Sequence, residues 1–180
     1  VITISHMGYI KRTPLTEYRL QNRGGVGAKG STTREEDFIE HIYVANMHST
    51  MMFFTKNGKC YWLKVYDVPE GSKASKGRAI QNVINIEPDD AVQAYMNVEN
   101  LDDSDYINNH YVVLATRKGT IKKTSLEAYS RPRANGIIAI NVREEDSLIE
   151  ALLTDGDKDI LLAGRKGRCC RFHETTVRAM

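Results

Sequence analysis

A glycine-rich basic segment, Gln21–Gly30 (QNRGGVGAKG), is the part of the sequence best suited to hold an anion. Glycine lets the backbone come close to a phosphate, and successive N–H groups can form an anion-binding nest. Arg23 and Lys29 add positive charge beside the glycines. A Walker loop is excluded, because no Gly-Lys-Ser/Thr follows a buried strand here. The segment predicts either an exposed phosphate-binding loop or a plain flexible surface loop.

The side chains that most often carry catalysis or bind metals do not form a recognisable site. Cys60, Cys169 and Cys170 are odd in number and have no CxxC spacing, so neither a disulfide framework nor a zinc site is expected. Cys60 and Cys169 share a recurring apolar position, which predicts a structural role. Tyr61 and Trp62 are expected to pack rather than to stack on bases. Metal-type spacing is also absent among the five histidines, His6, His41, His48, His110 and His173.

Four basic hairpin motifs provide the frame that positions these residues. Each has an apolar strand, a turn with Gly, and a second strand with Lys or Arg; the four glycines are 50, 61 and 48 residues apart. Apolar residues recur at fixed offsets from each Gly, which predicts one buried strand face. These residues are Ile2, Met52, Val113 and Leu161 six before, Ile4, Phe54, Ala115 and Ala163 four before, and Ile10, Cys60, Ile121 and Cys169 two after.

A common order of segments follows the first three hairpins. A short apolar turn leads to a basic loop, then to an acidic turn and another apolar strand. About four strands per unit of some 50 residues predict an all-β, propeller-like array, and no helix is predicted. We expect one domain over 1–180, with repeats at about 1–49, 50–105, 106–158 and a partial 159–180.

The first repeat departs from this pattern at the glycine-rich segment. Gly27 and Gly136 both lie ten residues before the acidic Asp of their repeat. The apolar strand Ile137–Ile140 follows Gly136, whereas the residues after Gly27 are too polar to bury. An exposed basic loop is therefore expected to replace a strand in the first repeat.

Charge alternates along the chain with the period of the repeat. Residues 11–34, 56–78, 117–133 and 165–171 cover 71 of 180 positions but hold 22 of the 25 Lys and Arg and 4 of the 23 acidic residues. Stacked repeats would align these basic loops into one track, which predicts binding to phosphates rather than to base edges. A solvated surface of mixed charge is the alternative. Composition is globular, with 41% hydrophobic residues and neither a membrane-length apolar run nor a signal peptide, so we expect a cytoplasmic protein.

The sequence resembles the C-terminal domain of bacterial DNA gyrase A. The glycine-rich segment is similar to that family's Gln-Arg-Arg-Gly-Gly-Lys-Gly box and departs from it at Asn22 and Val26, where the family commonly has basic residues. Agreement extends over essentially the whole chain. It includes the stretches EEDFIEHIYVAN, KVYDVP, GTIKKTSLEAY and TTVRAM.

The resemblance implies a β-pinwheel, typically of six blades, that bends double-stranded DNA around a basic rim. It implies a role in ATP-dependent negative supercoiling together with the rest of gyrase A and with gyrase B. ATP and Mg²⁺ would bind other domains, so no cofactor and no catalytic residue is expected in this chain. The present repeats would form a partial ring, and exposed strand edges would permit self-association. The equivalent C-terminal domain of topoisomerase IV and a protein-interaction propeller are the alternatives.

We expect DNA binding to be independent of sequence and strongly dependent on salt. The expected DNA-binding residues are Gln21, Arg23, Gly24, Gly25, Gly27 and Lys29 in the glycine-rich segment and Lys11, Arg12, Lys76, Arg78, Lys122, Lys123, Arg131 and Arg133 elsewhere.

Overall fold

The computed structural model describes residues 1–27 and 29–180, and within them the regular secondary structure consists mainly of short antiparallel strands. One short helix, α1 (Ser104–Asn109), and five single 3₁₀ turns complete it. No helix among the described residues has the length and apolar character needed to cross a membrane. The strands are β1 (Ile2–Ser5), β2 (Tyr9–Arg12), β3 (Ile39–Tyr43), β4 (Thr50–Thr55), β5 (Lys59–Lys64), β6 (Arg78–Ala79), β7 (Val92–Val98), β8 (Tyr111–Thr116), β9 (Ile121–Ser125), β10 (Ile137–Ile138), β11 (Leu148–Thr154), β12 (Asp159–Ala163) and β13 (Cys169–His173).

The strands form four sheets, and each of the first two sheets includes one strand from the repeat that follows it, which we call an exchanged strand. Sheet 1 has the order β3-β1-β2-β6, sheet 2 β10-β5-β4-β7, sheet 3 β11-β8-β9 and sheet 4 β12-β13. Strand β6 of the second repeat pairs with β2 of the first, and β10 of the third repeat pairs with β5 of the second. Each exchanged strand is only two residues long. By pairing with the preceding sheet it covers an edge of that sheet and ties neighbouring repeats together. The sequence repeat did not predict this exchange.

An aspartate from the acidic turn holds the hairpin turn in each of the first three repeats. The Asp37 Oδ1 atom accepts hydrogen bonds from Met7 N at 3.0 Å and from Phe38 N at 2.9 Å. The same two bonds recur in the other repeats, from Asn57 N and Ala91 N to Asp90 and from Lys118 N and Ser147 N to Asp146. The acidic turns therefore tie the hairpin to the following strand.

The sheets stack face to face, and this requires both faces of the inner strands to be apolar. In β4 (TMMFFT) every residue is buried. Met52 and Phe54 pack against sheet 3, whereas Met51 and Phe53 pack against sheet 1. The apolar face predicted from the sequence is thus confirmed for sheets 1 and 2, and a second buried face lies on the alternate residues.

The predicted core positions of the fourth repeat are exposed instead. Leu161 is 63% exposed, and Ala163 and Cys169 are also exposed. They lie on the outer face of sheet 4, which no other described sheet covers. The expectation of a core role for Cys169 is therefore wrong here, whereas Cys60 is fully buried and burial raises the pKa of its thiol. Tyr61 is buried and Trp62 partly buried against the core, as expected.

Helix α1 was not expected, because six residues are too few to show a helical period. Its start is nevertheless encoded locally, since the Asp103 side chain accepts hydrogen bonds from Asp105 N and Tyr106 N. A side chain in this position satisfies backbone donors that a helix start leaves unpaired. The apolar turn segments predicted after the hairpins form 3₁₀ turns at Leu15–Glu17, Val65–Asp67 and Leu126–Tyr129.

A buried ion pair joins the third and fourth repeats. The Nζ atom of Lys123 lies 2.7 Å from the Glu174 carboxylate, and the two side chains are 6% and 0% exposed. The carboxylate also accepts hydrogen bonds from the Thr154 hydroxyl and from Lys158 N. Burial raises the pKa of Glu174, but these bonds and the Lys123 charge lower it more, so the net pKa is below its ordinary value.

The Glu174→Ala substitution should lower the free energy of unfolding by about 3–5 kcal/mol, because it leaves the Lys123 ammonium buried without a counter-ion. Urea unfolding of the 180-residue chain measures this effect. Asp159→Ala removes an exposed ion pair with Arg171 and should have a much smaller effect. The double substitution Lys123→Met/Glu174→Leu should recover most of the loss, since a buried ion pair can be replaced by apolar residues. An equal loss in Glu174→Ala and Asp159→Ala would contradict the importance of burial.

The hairpin aspartates should make stability depend on pH. Burial raises the pKa of Asp37 and of Asp146, but hydrogen bonds to each carboxylate lower it more, and both values lie below the ordinary 3.8. A depressed folded pKa contributes stability that is present above the unfolded value and is lost as pH falls through the folded one. The urea concentration at the midpoint of unfolding should therefore decrease as the pH is lowered from about 6 to about 3. Asp146→Asn should weaken this pH dependence, whereas Glu144→Gln, at an exposed neighbouring carboxyl, should not; equal curves for both variants would contradict the assignment.

Candidate nucleic-acid interface

The sheet order separates the edge where the sheets meet from the edge that carries the basic loops. Strands β7 and β11 lie against each other, and β3 reaches β7 through a hydrogen bond from Tyr43 Oη to Tyr95 O at 3.3 Å. Strands β6 and β10 lie at the opposite edges of sheets 1 and 2. The loops that lead into β6 and β10 are residues 69–77 and 130–136. Their basic residues therefore lie along the outer edge of the stacked sheets.

Six of the ten predicted basic residues are exposed on this outer edge or on the glycine-rich loop. Among the described residues, none of the six lies within 4 Å of a carboxylate oxygen. They retain their hydrogen-bond donors for a ligand. The six are Arg23, Lys29, Lys76, Arg78, Arg131 and Arg133.

The other four predicted basic residues make internal contacts. Lys11 and Lys123 are only 3% and 5% exposed. Lys123 pairs with Glu174, and its Nζ atom also lies 4.3 Å from the centre of the Tyr111 ring. Lys11 forms no ion pair among the described residues, but its Nζ atom donates to backbone carbonyls. A buried ammonium with its donors occupied cannot reach a phosphate on the surface, so Lys11 and Lys123 are corrected to structural positions.

Arg12 and Lys122 are half-buried and are also engaged within the chain. Arg12 Nε donates to Val68 O at 2.9 Å, and its guanidinium lies 2.7 Å from the Glu70 carboxylate. Lys122 Nζ donates to Ala139 O at 2.7 Å. These residues therefore contribute charge to the region, but their polar groups are already occupied.

Two basic residues near the hairpin turns pair with the acidic turns instead. Lys59 forms an ion pair with Glu87, and Lys118 Nζ lies 3.6 Å from Glu145. Their charge is locally neutralised. The six cations of the outer edge and the glycine-rich loop differ from these two in keeping their charge unpaired among the described residues.

The glycine-rich loop is exposed throughout Gln21–Gly27 and forms no strand among the described residues. This agrees with the predicted replacement of a strand by a loop. Asn22 O accepts a hydrogen bond from Gly25 N at 3.1 Å, and Gly24 and Gly27 have φ angles of 80° and 82°. Other residues rarely adopt such angles, so the glycines are needed for the backbone path. The open N–H groups and Arg23 can together approach an anion.

The second repeat holds the base of this loop. Thr32 N donates to Lys73 O of the second repeat at 2.8 Å. Within the first repeat, Tyr18 Oη donates to Gly30 O at 3.2 Å. Lys73 was not among the predicted site residues, although its place in the basic loop next to Lys76 was a usable signal. Burial holds the pKa of Lys11 below its ordinary value, although the nearby Glu17 carboxylate raises it in part.

Gly77 permits the exchanged strand to approach its neighbour. Its φ is 77°, and a Cβ atom at this position would lie 2.8 Å from Ile10 O. A side chain there would push β6 away from β2. The position of Arg78 on the outer edge therefore depends on a glycine directly before it.

Comparison with known proteins agrees with this architecture. The family model described as "DNA gyrase C-terminal domain, beta-propeller" matches residues 1–46, 49–98 and 110–155. The chain belongs to this family. DNA gyrase A of Haemophilus influenzae is 46% identical over all 180 residues, and that of Halalkalibacterium halodurans is 42% identical. The chain spans about a fifth of the length of these curated relatives, 20% and 21% respectively.

Solved members of related domains share the fold of this gyrase-family domain. A C-terminal domain of DNA topoisomerase IV superposes with a TM-score of 0.79 at 25% identity, covering 99% of this chain and 53% of that one. A DNA gyrase A C-terminal domain superposes with a TM-score of 0.72 at 22% identity, covering 99% and 56%. The predicted all-β, propeller-like class is therefore confirmed.

Proposed function

We propose that this chain binds double-stranded DNA through its outer-edge basic loops and bends the DNA around the stacked sheets. The observation that carries the proposal is the set of six exposed, unpaired cations on the glycine-rich loop, on β6 and on the loops leading into β6 and β10. Two of them belong to each of the first three repeats, which suits a ligand that carries phosphates along its whole length. Bending a site of 20–30 base pairs by 40–90° costs on the order of 1–6 kcal/mol, which phosphate contacts along a curved edge can offset.

Membership of the gyrase family supports a role in the whole enzyme. We infer that the chain works with the rest of gyrase A and with gyrase B in ATP-dependent negative supercoiling by a type IIA topoisomerase. In this proposal other domains supply the catalytic tyrosine, the ATP site and the Mg²⁺ site. The glycine-rich loop would secure the bent DNA and so give strand passage its direction.

Removal of outer-edge charge should weaken DNA bending. The triple variant Arg23→Gln/Arg78→Gln/Arg133→Gln should reduce the bend and lower the slope of log affinity against log salt by about 0.9 for each lost phosphate contact. Fluorescence energy transfer between the ends of a labelled duplex measures the bend, and titrations at several salt concentrations measure the slope.

A matched control separates the outer edge from net charge. Lys59→Gln/Lys118→Gln/Lys158→Gln removes the same charge, but from residues that pair with acidic side chains. This control should bend DNA almost as the unmodified chain does. Equal losses in the two triple variants would show that net charge alone governs binding and would contradict the proposed interface.

The equivalent C-terminal domain of topoisomerase IV is a second candidate, because the topoisomerase IV domain gives the higher TM-score of the two solved structures compared above. The glycine-rich box favours gyrase. The two candidate functions predict different activities on relaxed plasmid, since gyrase introduces negative supercoils whereas a topoisomerase IV function would not require negative supercoiling.

Reconstitution of full-length gyrase A with gyrase B should introduce negative supercoils into relaxed plasmid in the presence of ATP. Gly24→Ala/Gly27→Ala should abolish supercoiling but retain relaxation, because both alanines would have to adopt left-handed φ angles in the loop. Gly119→Ala imposes the same strain in a hairpin turn outside the loop and should retain supercoiling. Relaxation without supercoiling by the unmodified enzyme would favour the topoisomerase IV candidate.

A further inference from the structure

The buried ammonium of Lys11 lies where the first two repeats meet. Its Nζ atom donates hydrogen bonds to three backbone carbonyls, those of Ser72 at 2.9 Å, Lys73 at 3.1 Å and Ser75 at 2.7 Å. A lysine ammonium has three N–H donors, so all of them are used within the protein. Lys11 therefore has no donor left for a phosphate.

The three carbonyls belong to one tight turn of the basic loop in the second repeat. Ser75 N and Ser75 Oγ both donate to Ser72 O, at 3.1 Å and 3.0 Å, which closes the turn. Three carbonyl oxygens that converge on one point repel one another unless a cation lies between them. The Lys11 charge removes this repulsion and fixes the turn.

The same turn holds both ends of the glycine-rich loop through Lys73. On the C-terminal side of the loop, Thr32 N donates to the Lys73 carbonyl that Lys11 also binds. On the N-terminal side of the loop, Lys73 N donates to Glu17 Oε2 at 3.2 Å, and Lys73 Nζ lies 4.2 Å from the centre of the Tyr18 ring. A continuous set of contacts thus runs from Lys11 to the base of the loop.

We propose that Lys11 is a positioning residue for the DNA interface, which holds the glycine-rich loop of the first repeat in a fixed orientation relative to the basic edge of the second repeat. This inference rests on the proposed function. It makes the interface a composite of two repeats, in which the glycine-rich loop and Arg78 act on the same DNA only if the 72–75 turn is in place.

Lys122 provides a matched control in the third repeat. It lies three residues after its hairpin glycine, as Lys11 does, and carries the same charge. Lys122 Nζ binds only the single carbonyl of Ala139, within its own repeat. Replacing Lys122 therefore removes one charge at an equivalent position without a contact to the glycine-rich loop.

The test compares Lys11→Met with Lys122→Met in the 180-residue chain, first without DNA. Hydrogen exchange of the Thr32 and Lys73 amides should become faster by roughly tenfold in Lys11→Met, the scale expected for one or two lost hydrogen bonds. Lys122→Met should leave these two amides unchanged. With DNA present, the bend measured by energy transfer should be reduced in Lys11→Met and nearly retained in Lys122→Met.

Lys11→Arg separates geometry from charge and serves where Lys11→Met does not fold. Arginine keeps the positive charge, but its planar fork cannot direct three donors from one atom toward converging carbonyls. The variant should therefore also speed exchange at Thr32 and Lys73 and reduce bending at unchanged net charge.

Three results would overturn the inference. Unchanged exchange at Thr32 and Lys73 in both Lys11 variants would show that Lys11 does not hold the loop. Unchanged exchange with a salt slope reduced by about 0.9 would show a direct phosphate contact instead. Faster exchange with normal bending would show that the loop position is irrelevant to DNA. The outer-edge variant Arg23→Gln/Arg78→Gln/Arg133→Gln distinguishes the two levels: if it bends DNA normally the proposed function fails, and if it does not, only the role of Lys11 is at issue.

Discussion

The pairing of the short strands β6 and β10 with the preceding sheets determines most of the arrangement. Because each of these strands comes from the next repeat, the chain must leave one sheet, run along the outer edge, and return before it can build its own third strand. The loop that makes this excursion is exposed by necessity, since it lies beyond the last strand of a sheet. These loops carry Lys73, Lys76, Arg131 and Arg133, so strand exchange also places positive charge on the outer edge and not between the sheets.

Strand exchange also explains why both faces of the inner strands are apolar. A sheet that is tied to its neighbour at the outer edge and meets it again through β3, β7 and β11 has little freedom to tilt away. Its faces must then pack on the sheets before and after it, as Met51 and Met52 do on opposite sides of β4. Where the stack has no further described sheet, the equivalent residue Leu161 remains exposed.

The sequence was sufficient to predict the hairpins, the third strands, the all-β class and the absence of a strand after Gly27, because each depends on local patterns of apolar residues and glycine. It was not sufficient to predict which sheet a two-residue strand would join, because Arg78 and Ala79 show no alternation of their own. The sequence also could not show that Lys11 and Arg78 have different surroundings. Both are cations in basic segments, and only the tertiary contacts show that the ammonium of Lys11 is enclosed by carbonyls while the guanidinium of Arg78 lies on the outer edge. Side chains in a repeat share a register but not an environment.

The two departures from the family box bear on charge more than on shape. Asn22 contributes its backbone carbonyl to the turn with Gly25, a bond that any residue at this position can make. The Val26 side chain is fully exposed. The left-handed angles that give the loop its course belong to Gly24 and Gly27, and both match the family pattern. In the proposed interface the loop therefore keeps its backbone donors and its position on the second repeat, but it has fewer side-chain cations of its own. The basic loop of the second repeat, with Lys73 held against Tyr18 and Lys76 exposed nearby, supplies positive charge beside the same loop.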